Sequence, residues 1–272
     1  MNAGDSLGGR HLIAEGREAE IYEWDGGLVL RLMRSELAGP SMSRSTIASE
    51  AARAAGVPTP RVFDTITVDG RPGQVMERVE GPDLFSYMAA NPLRLPAVAR
   101  DLAGIHAALH EIVGPDELDE MHDYFDRRIR SSNLVPVDVR STALASLGDL
   151  PAGSALCHGD FHPGNVLLTK TGPVLIDWTG AVRGDATADF ARTRLMLRIG
   201  ELPPGAPTMI RALARVGRGL LLRLYERAYF KARPIDGDLL RRWTVLCAAD
   251  RLVDDIPAER DTLLSIARGG TD

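Results

Sequence analysis

Lysine is nearly missing from this sequence. Of 32 basic residues only Lys170 and Lys231 are lysines, so positive charge is carried by arginine, which keeps its proton under any local field and binds through a planar fork. Cysteine is as scarce: Cys157 and Cys247 sit far apart in apolar surroundings, which suits reduced thiols in a cytoplasm better than a disulfide framework. No signal peptide is expected, because MNAGDSLGGRHLIAEG has no basic start followed by an apolar segment. No membrane span is expected either, since the apolar run from Gly219 to Tyr229 is interrupted by Arg223, Glu226 and Arg227. A surplus of positive charge is also lacking. The net charge of -5 argues against a generic nucleic-acid binder, whose phosphate contacts need a basic face. There is no internal repeat and no low-complexity segment.

What remains is an ordinary globular composition, 272 residues with 44% hydrophobic and 25% charged, enough for one or two domains. The texture changes near Gly81-Pro82. Before it, strand-like stretches run over Glu18–Trp24, Leu28–Met33, Val62–Val68 and Gln74–Val79, with turn signals at Asp25-Gly26-Gly27 and from Asp69 to Gly73. One alanine-rich helix, Ser43–Ala55, interrupts them and stops at Gly56. After Pro82 apolar residues recur at three- and four-residue spacing, predicting helices over Asp83–Ala90, Pro96–Ile112, Pro115–Arg130, Val137–Leu147 and from Ala186 onward. A short hairpin, Val166–Leu168 with Val174–Ile176, breaks that helical stretch. The expectation is an α+β chain with a small sheet-rich lobe over residues 1–79 and a larger helical lobe over 80–272. A cleft between lobes is a usual place for a small ligand.

The stretch ALCHGDFHPGNVLL, Ala155 to Leu168, lies where the cleft would be. His158-Gly159-Asp160 followed by Asn165 has the spacing of the kinase catalytic loop, with glycine where that motif has arginine. Asp177 then ends the strand Val174-Leu175-Ile176 at the same mouth. Phosphoryl transfer from a nucleotide needs a carboxylate to take the hydroxyl proton and two oxygen ligands for magnesium; Asp160, Asn165 and Asp177 supply them in that order.

With these residues the chain resembles the aminoglycoside phosphotransferase and choline kinase group of protein-kinase-like small-molecule kinases. The resemblance rests on HGDFHPGNVLL and VLIDWTGAVRGDATADFAR, with LAGIHAALHEI, VMERVEG and ASEAARAAGVPTPRV upstream, and spans nearly the whole chain. It implies a two-lobed kinase fold that uses Mg2+ and ATP, with GTP left open. Met76 would lie beside the adenine, and the backbone of Glu77 and Val79 would hydrogen-bond the base. Glu15-Gly16-Arg17-Glu18-Ala19 matches the turn that covers the phosphates, and Glu50 matches the helix glutamate that pairs with the phosphate-binding basic residue. Asp189 would brace the catalytic loop. The missing arginine at position 159, and the lack of an A-P-E motif after Asp177, favour a small-molecule substrate over a protein.

The strand Gly27–Met33 departs from the family pattern, because Arg31 stands where kinase-like folds place lysine. Alternation with Leu30 and Leu32 turns Arg31 toward the cleft, so it is expected to bridge Glu50 and the phosphates. Other readings stay open. His158, Asp160 and His162 alternate like ligands of a metal-dependent hydrolase, and the missing lysine would also suit an inactive nucleotide-binding relative. The resemblance implies that His158 fixes its loop by hydrogen bonds; His162 is expected to shape the turn before Pro163, Asp185 to cap a helix, and His106 and His110 to pack. The acidic residues Asp116, Glu117, Asp119, Glu120, Asp123 and Asp126, and Asp250, Asp254, Asp255, Glu259 and Asp261, read as solvated faces; the family resemblance implies instead that carboxylates of this lobe hold a cationic acceptor. An amino sugar is the leading acceptor; homoserine, choline, a methylthiosugar or a macrolide fit the same loop.

Overall fold

The computed structural model describes residues 7–200 and 208–270, with the backbone alone over 208–215. The leading stretch read for a signal peptide lies partly outside them. Five antiparallel strands form one sheet: β1 (Leu12–Glu15), β2 (Ala19–Trp24), β3 (Leu28–Met33), β4 (Val62–Val68) and β5 (Arg71–Glu77), in the order β1-β2-β3-β5-β4. Two hairpins rest on left-handed backbone. Gly26 and Gly27 have φ of 73° and 77° in the three-residue turn Asp25–Gly27, and Asp69-Gly70 has 49° and 78°, the pair of positive values a tight two-residue hairpin turn requires. Helix α1 (Gly39–Ala54) enters through Pro40 and ends just before Gly56, which takes φ of 90°. Leu30, Leu32, Val68 and Val75 form the core of the sheet.

The rest is helical: α2 (Leu84–Ala90), α3 (Leu95–Leu109), α4 (Met121–Ser131), α5 (Val137–Leu147), α6 (Ala186–Ile199), α7 (Thr208–Ala232), α8 (Gly237–Arg251) and α9 (Arg260–Ala267). Two small ladders interrupt it, β6 (Ala155–Cys157) with β9 (Val182–Gly184), and β7 (Val166–Thr169) with β8 (Gly172–Leu175). The buried stripe of α3, Val98, Ala99, Leu102, Ala103, His106 and Ala107, packs with residues of α6 and α7 in one core that also takes Ala48 and Ala52 from α1. A second core joins α4, α5, α8 and α9. No helix among the described residues is long and apolar enough to cross a membrane.

Three departures from the sequence reading have physical causes. The strand expected over Gln74–Val79 runs from Arg71 to Glu77, because the turn before it needs only Asp69 and Gly70 and the ladder with β3 ends at Glu77. The helix expected from Pro115 starts at Met121, because Glu120 bridges Arg183 of β9 and the Arg183 N–H donates to the Asp119 carbonyl, which holds the acidic stretch extended. The strands β1, β6 and β9 were not expected; with three or four residues each they are too short to show a period.

The acidic residues near the C-terminus are not a solvated face. Asp250 is fully buried, accepting from Arg128 Nε at 2.7 Å and Arg192 Nη1 at 2.6 Å, while Asp254 takes Arg128 Nη2 at 2.6 Å and Glu259 takes Arg251 Nε at 2.6 Å. Asp255 and Asp261 stay exposed. Asp119, Glu120 and Asp126 pair with Arg127, Arg183 and Arg130. A buried guanidinium, Arg192, and a partly buried one, Arg128, face the Asp250 carboxylate and keep uncompensated charge if it is removed. Asp250→Ala is therefore expected to cost about 3–5 kcal/mol in urea unfolding, against under about 1 kcal/mol for Asp126→Ala at the surface; equal losses would mean the buried network adds nothing.

Candidate active site

His106 and His110 fall on the apolar stripe of α3, so both imidazoles are driven into the core and must find partners there. Tyr225 and Tyr229, also four apart, face them from α7. His106 Nδ1 meets Tyr225 Oη and His110 Nδ1 meets Tyr229 Oη, each at 2.5 Å. Both Nε2 atoms reach Asp189 Oδ2 at 3.1 Å. A carboxylate only accepts, so each Nε2 carries the proton and each Nδ1 accepts from a tyrosine. Burial, with His110 beside it, drives His106 down to about 3, so it is neutral at physiological pH. The three residues could geometrically hold a metal ion, but every donor already has a protein partner.

Asp189 sits in the first turn of α6, whose start is capped by Asp185. Its other bonds reach the loop after β6: Oδ2 accepts from the His158 N–H at 2.7 Å and Oδ1 from the Gly159 N–H at 2.9 Å. Burial disfavours the charge, yet the hydrogen bonds from His106 and His110 outweigh it and hold the carboxyl well below the usual carboxylate range. His158 continues the scaffold. Its Nε2 donates to the Ile176 carbonyl at 3.0 Å, and its Nδ1 accepts from the Asp160 N–H at 3.3 Å, a pair of bonds open only to the neutral ring.

Gly159 has φ of 75°, and a Cβ there would lie 1.9 Å from the Gly180 carbonyl oxygen. No side chain fits, so the glycine that sets this loop apart from an H-R-D motif is required by the close approach of the loop after Asp177. The loop then presents Asp160. Asn165 Nδ2 donates to the Asp160 carbonyl at 2.8 Å and to its Oδ2 at 3.0 Å, and His162 Nε2 lies 3.6 Å from the same oxygen. Burial would raise the Asp160 carboxyl, but His162, with Arg192 and His158 further off, holds it below the ordinary range. The Gly164 N–H donates to His162 Nδ1 at 3.0 Å, so His162 shapes the turn as well as facing Asp160.

The Ile176 N–H donates to the Asn165 carbonyl at 2.9 Å, which brings Asp177 beside the Asp160–Asn165 pair. Asp177 adopts φ of 61°, a left-handed conformation that costs a non-glycine residue about 1 kcal/mol or more. Thr179 Oγ1 at 2.8 Å and Arg31 Nη2 at 2.7 Å both donate to its Oδ1. Among the described residues nothing bonds its Oδ2, and the Asn165 amide, turned to give its nitrogen to Asp160, leaves Oδ1 open. Two open, hard oxygens on adjacent backbone suit magnesium.

Arg31 does not meet Glu50. Its guanidinium goes to Asp177 and, through Nη1 at 3.4 Å, to Gln74 Oε1, while the Glu50 side chain is exposed on the far turns of α1. That expectation failed because α1 presents Thr46 to the interior of the sheet one turn earlier, and Gln74 takes the space between. Gln74, Thr179 and Gly180 were missed by the sequence reading; a glutamine opposite Arg31 on an apolar strand was the available signal. Met76 is half-buried between Val29 and Val62 in the sheet. The Glu77 N–H is taken by the Arg61 carbonyl, whereas the Val79 N–H has no backbone partner among the described residues. A cavity of about 450 Å3 is lined by Glu77–Glu80, by Arg53 and Gly56–Thr59, and by Thr169, Thr171 and Val174 of the β7–β8 hairpin, and touches none of the three carboxyl and amide groups above. Gly16 closes the β1–β2 turn by donating to the Ala19 carbonyl at 2.8 Å, and neighbouring Arg17 reaches across to the Asp254 carbonyl at 3.1 Å.

Residues 11–231 match the family model described as the phosphotransferase enzyme family. Among solved structures, a thermostable mutant of aminoglycoside phosphotransferase APH(4)-Ia in ternary complex with ADP and hygromycin B aligns with a TM-score of 0.65 and 18% identity over 97% of this chain and 95% of that one. The amicoumacin kinase hAmiN in complex with AMP-PNP, Ca2+ and Ami aligns at 0.64 and 13%, over 95% and 86%. The GDP and kanamycin complex of APH(2")-IIia aligns at 0.62 and 16%, over 97% and 94%. No curated protein matches the sequence.

The Asp189 geometry predicts its own pH dependence. Asp189→Asn must aim an amide N–H at donors and is expected to cost about 2–3 kcal/mol at pH 7. A carboxyl depressed in the folded state stabilises fully above its unfolded value near 4 and loses that contribution as the pH falls toward the folded value. The gap between wild type and variant in urea unfolding should therefore narrow below about pH 4; a gap independent of pH would remove the ionised carboxylate as its source.

Proposed function

The chain belongs to the phosphotransferase enzyme family and has the two-lobed protein-kinase-like fold of small-molecule kinases, and from that premise we propose that it is an ATP-dependent O-phosphotransferase moving the γ-phosphate to a hydroxyl of a small molecule. The single observation that carries this reading is the Asp160–Asn165–Asp177 group, an ionised carboxylate tied to an amide and set beside a second carboxylate, two of whose oxygens face no protein donor. Asp160 accepts a hydrogen bond from the acceptor hydroxyl, aims the hydroxyl oxygen at the γ-phosphorus and takes the proton as the new O–P bond forms and the bond to the bridging oxygen breaks, with the nucleoside diphosphate leaving. With its carboxyl held below the usual range it is a weak base, so alignment is the larger share of its work.

Asn165 and Asp177 would hold Mg2+, which when bound neutralises charge on the nucleotide phosphates. Arg31 binds phosphate oxygens from the sheet side, and the turn at Gly16 covers them. Met76 packs on the base, with the Glu77 carbonyl and the Val79 N–H as its hydrogen-bonding edge. One fold neighbour binds GDP, so the base is part of what must be measured. For the acceptor, amino sugars come first, since hygromycin B and kanamycin occupy two of the neighbours; such an activity would serve antibiotic resistance in a cytoplasm, where ATP is at hand. Most of the carboxylates that could hold a polycation are already paired with arginine, which keeps amino alcohols and macrolides in the screen.

A coupled ADP-release screen over amino sugars, amino alcohols and macrolides tests the reading directly. Release with one class supports it. No release with any acceptor, from ATP or GTP, favours an inactive nucleotide-binding relative.

Asp160→Asn should leave nucleotide affinity within about twofold and lower kcat by roughly a thousandfold; near-normal turnover would remove Asp160 from the reaction. Of the two metal-holding residues, Asp177 supplies a charge and Asn165 a neutral oxygen. Asp177→Ala should be the more damaging substitution, and added magnesium should restore Asn165→Ala more fully. The reverse order in a magnesium titration would count against this division of labour.

A further inference from the structure

β3 and β5 pair with Arg31 directly opposite Gln74, so the two side chains rise side by side from one face of the sheet. Gln74 is 1% exposed. An amide this deeply buried is costly unless all its groups are used, and here they are. Its Oε1 accepts from Arg31 Nη1 at 3.4 Å, and its Nε2 donates to Thr46 Oγ1 at 2.7 Å and to the Met42 carbonyl at 3.4 Å. Thr46 Oγ1 in turn donates to the Met42 carbonyl at 3.2 Å, so the amide is fastened to one turn of α1. Glu50, one turn further on, is exposed and takes no part.

We propose that Gln74 is the positioning residue for Arg31 and that, through Thr46, it ties the placement of α1 to the grip on the nucleotide phosphates. This rests on the kinase reading above. The chemistry of an amide differs from that of a carboxylate in two ways that matter here. It has a donor end and an acceptor end, so here it joins Arg31 on one side to Thr46 on the other, and a shift of α1 by an ångström would break the 2.7 Å bond and loosen the amide that orients the guanidinium, leaving Asp177 as its remaining partner. It is also neutral. Asp177 is the lone carboxylate within ion-pair distance of Arg31 among the described residues, so a guanidinium released by Asp177 offers its whole charge to phosphate.

The test uses the full chain, with ATP affinity by calorimetric titration, kcat and KM for ATP, and thermal unfolding followed separately. Gln74→Met removes the hydrogen bonds at similar volume and is expected to lower kcat/KM for ATP about tenfold, chiefly through KM. Thr46→Val, which leaves Arg31 and Gln74 in place, should lower it about threefold, and both losses should exceed that of Glu50→Ala. In an Arg31→Ala background Gln74→Met should add less than about twofold, because the residue it positions is gone; a glutamine that only packs would add its full effect there. An unchanged KM in Gln74→Met, full additivity with Arg31→Ala, or a larger loss in Glu50→Ala overturns the assignment. Should Gln74→Met not fold, Thr46→Val decides alone, and an unchanged KM overturns it. A wild type that binds no nucleotide overturns the kinase reading and this assignment together, whereas normal turnover in both wild type and Gln74→Met overturns the assignment only.

Discussion

The Asp189 carboxylate accepts four hydrogen bonds in a place no water reaches: two from imidazoles on α3 and two from the backbone of the loop that carries Asp160. A buried charge is tolerable only when its lone pairs are filled, and the donors that fill them come in pairs from two separate parts of the chain, helix α3 and the loop after β6. Helix α6 supplies the acid, α3 the two histidines, and α7 the tyrosines that fix their tautomers. The loop after β6 has one position that satisfies its two N–H groups. Much of the helical lobe can therefore be understood as the surroundings that make one ionised carboxylate affordable, and the loop geometry as its consequence.

A second constraint is steric. Gly159 and Gly180 touch backbone to backbone, so the loops bearing Asp160 and Asp177 cannot accept a side chain between them at this separation. The His158 ring locks the same pair from the other side through the Ile176 carbonyl. Held so, Asp177 is kept in a left-handed conformation by Arg31 from the sheet and by Thr179 from its own loop. The sheet and the helical part are joined where the chemistry would occur, with further links from the Leu175 N–H to the Pro58 carbonyl and from Arg17 to the Asp254 carbonyl.

The near absence of lysine runs through the electrostatics. Every ion pair described here uses arginine or histidine, and the buried network of Arg128, Arg192 and Arg251 with Asp250, Asp254 and Glu259 depends on forks that serve two acids at once. An ammonium has three donors but no planar fork to set them toward two acids in one fixed plane. The substitution of arginine at position 31 belongs to the same habit, and it changes the neighbour: a guanidinium spans from Asp177 to Gln74 in one plane.

The sequence by itself determined the elements whose signals are local. β3 and β4 run over the residues that alternation and turn chemistry indicated, α5 over Val137–Leu147, and α6 starts at Ala186 behind its aspartate cap. The spacing of Asp160, Asn165 and Asp177 was equally legible, because the residue types and their separations along the chain are local, although the geometry of their loop is set by Asp189 and Gly180 from elsewhere and by His158 through the Ile176 carbonyl. Only the tertiary structure decided the rest. Strands of three residues, such as β6 and β9, exist because each has the other to pair with, and the acidic stretch before α4 is extended because β9 captures it. Asp250 looked like surface charge until two arginines from other helices enclosed it. Arg31 had two acids and an amide within conceivable reach, and which of them it met depended on the rotation of α1 against the sheet, a quantity set by packing between segments that no local pattern encodes.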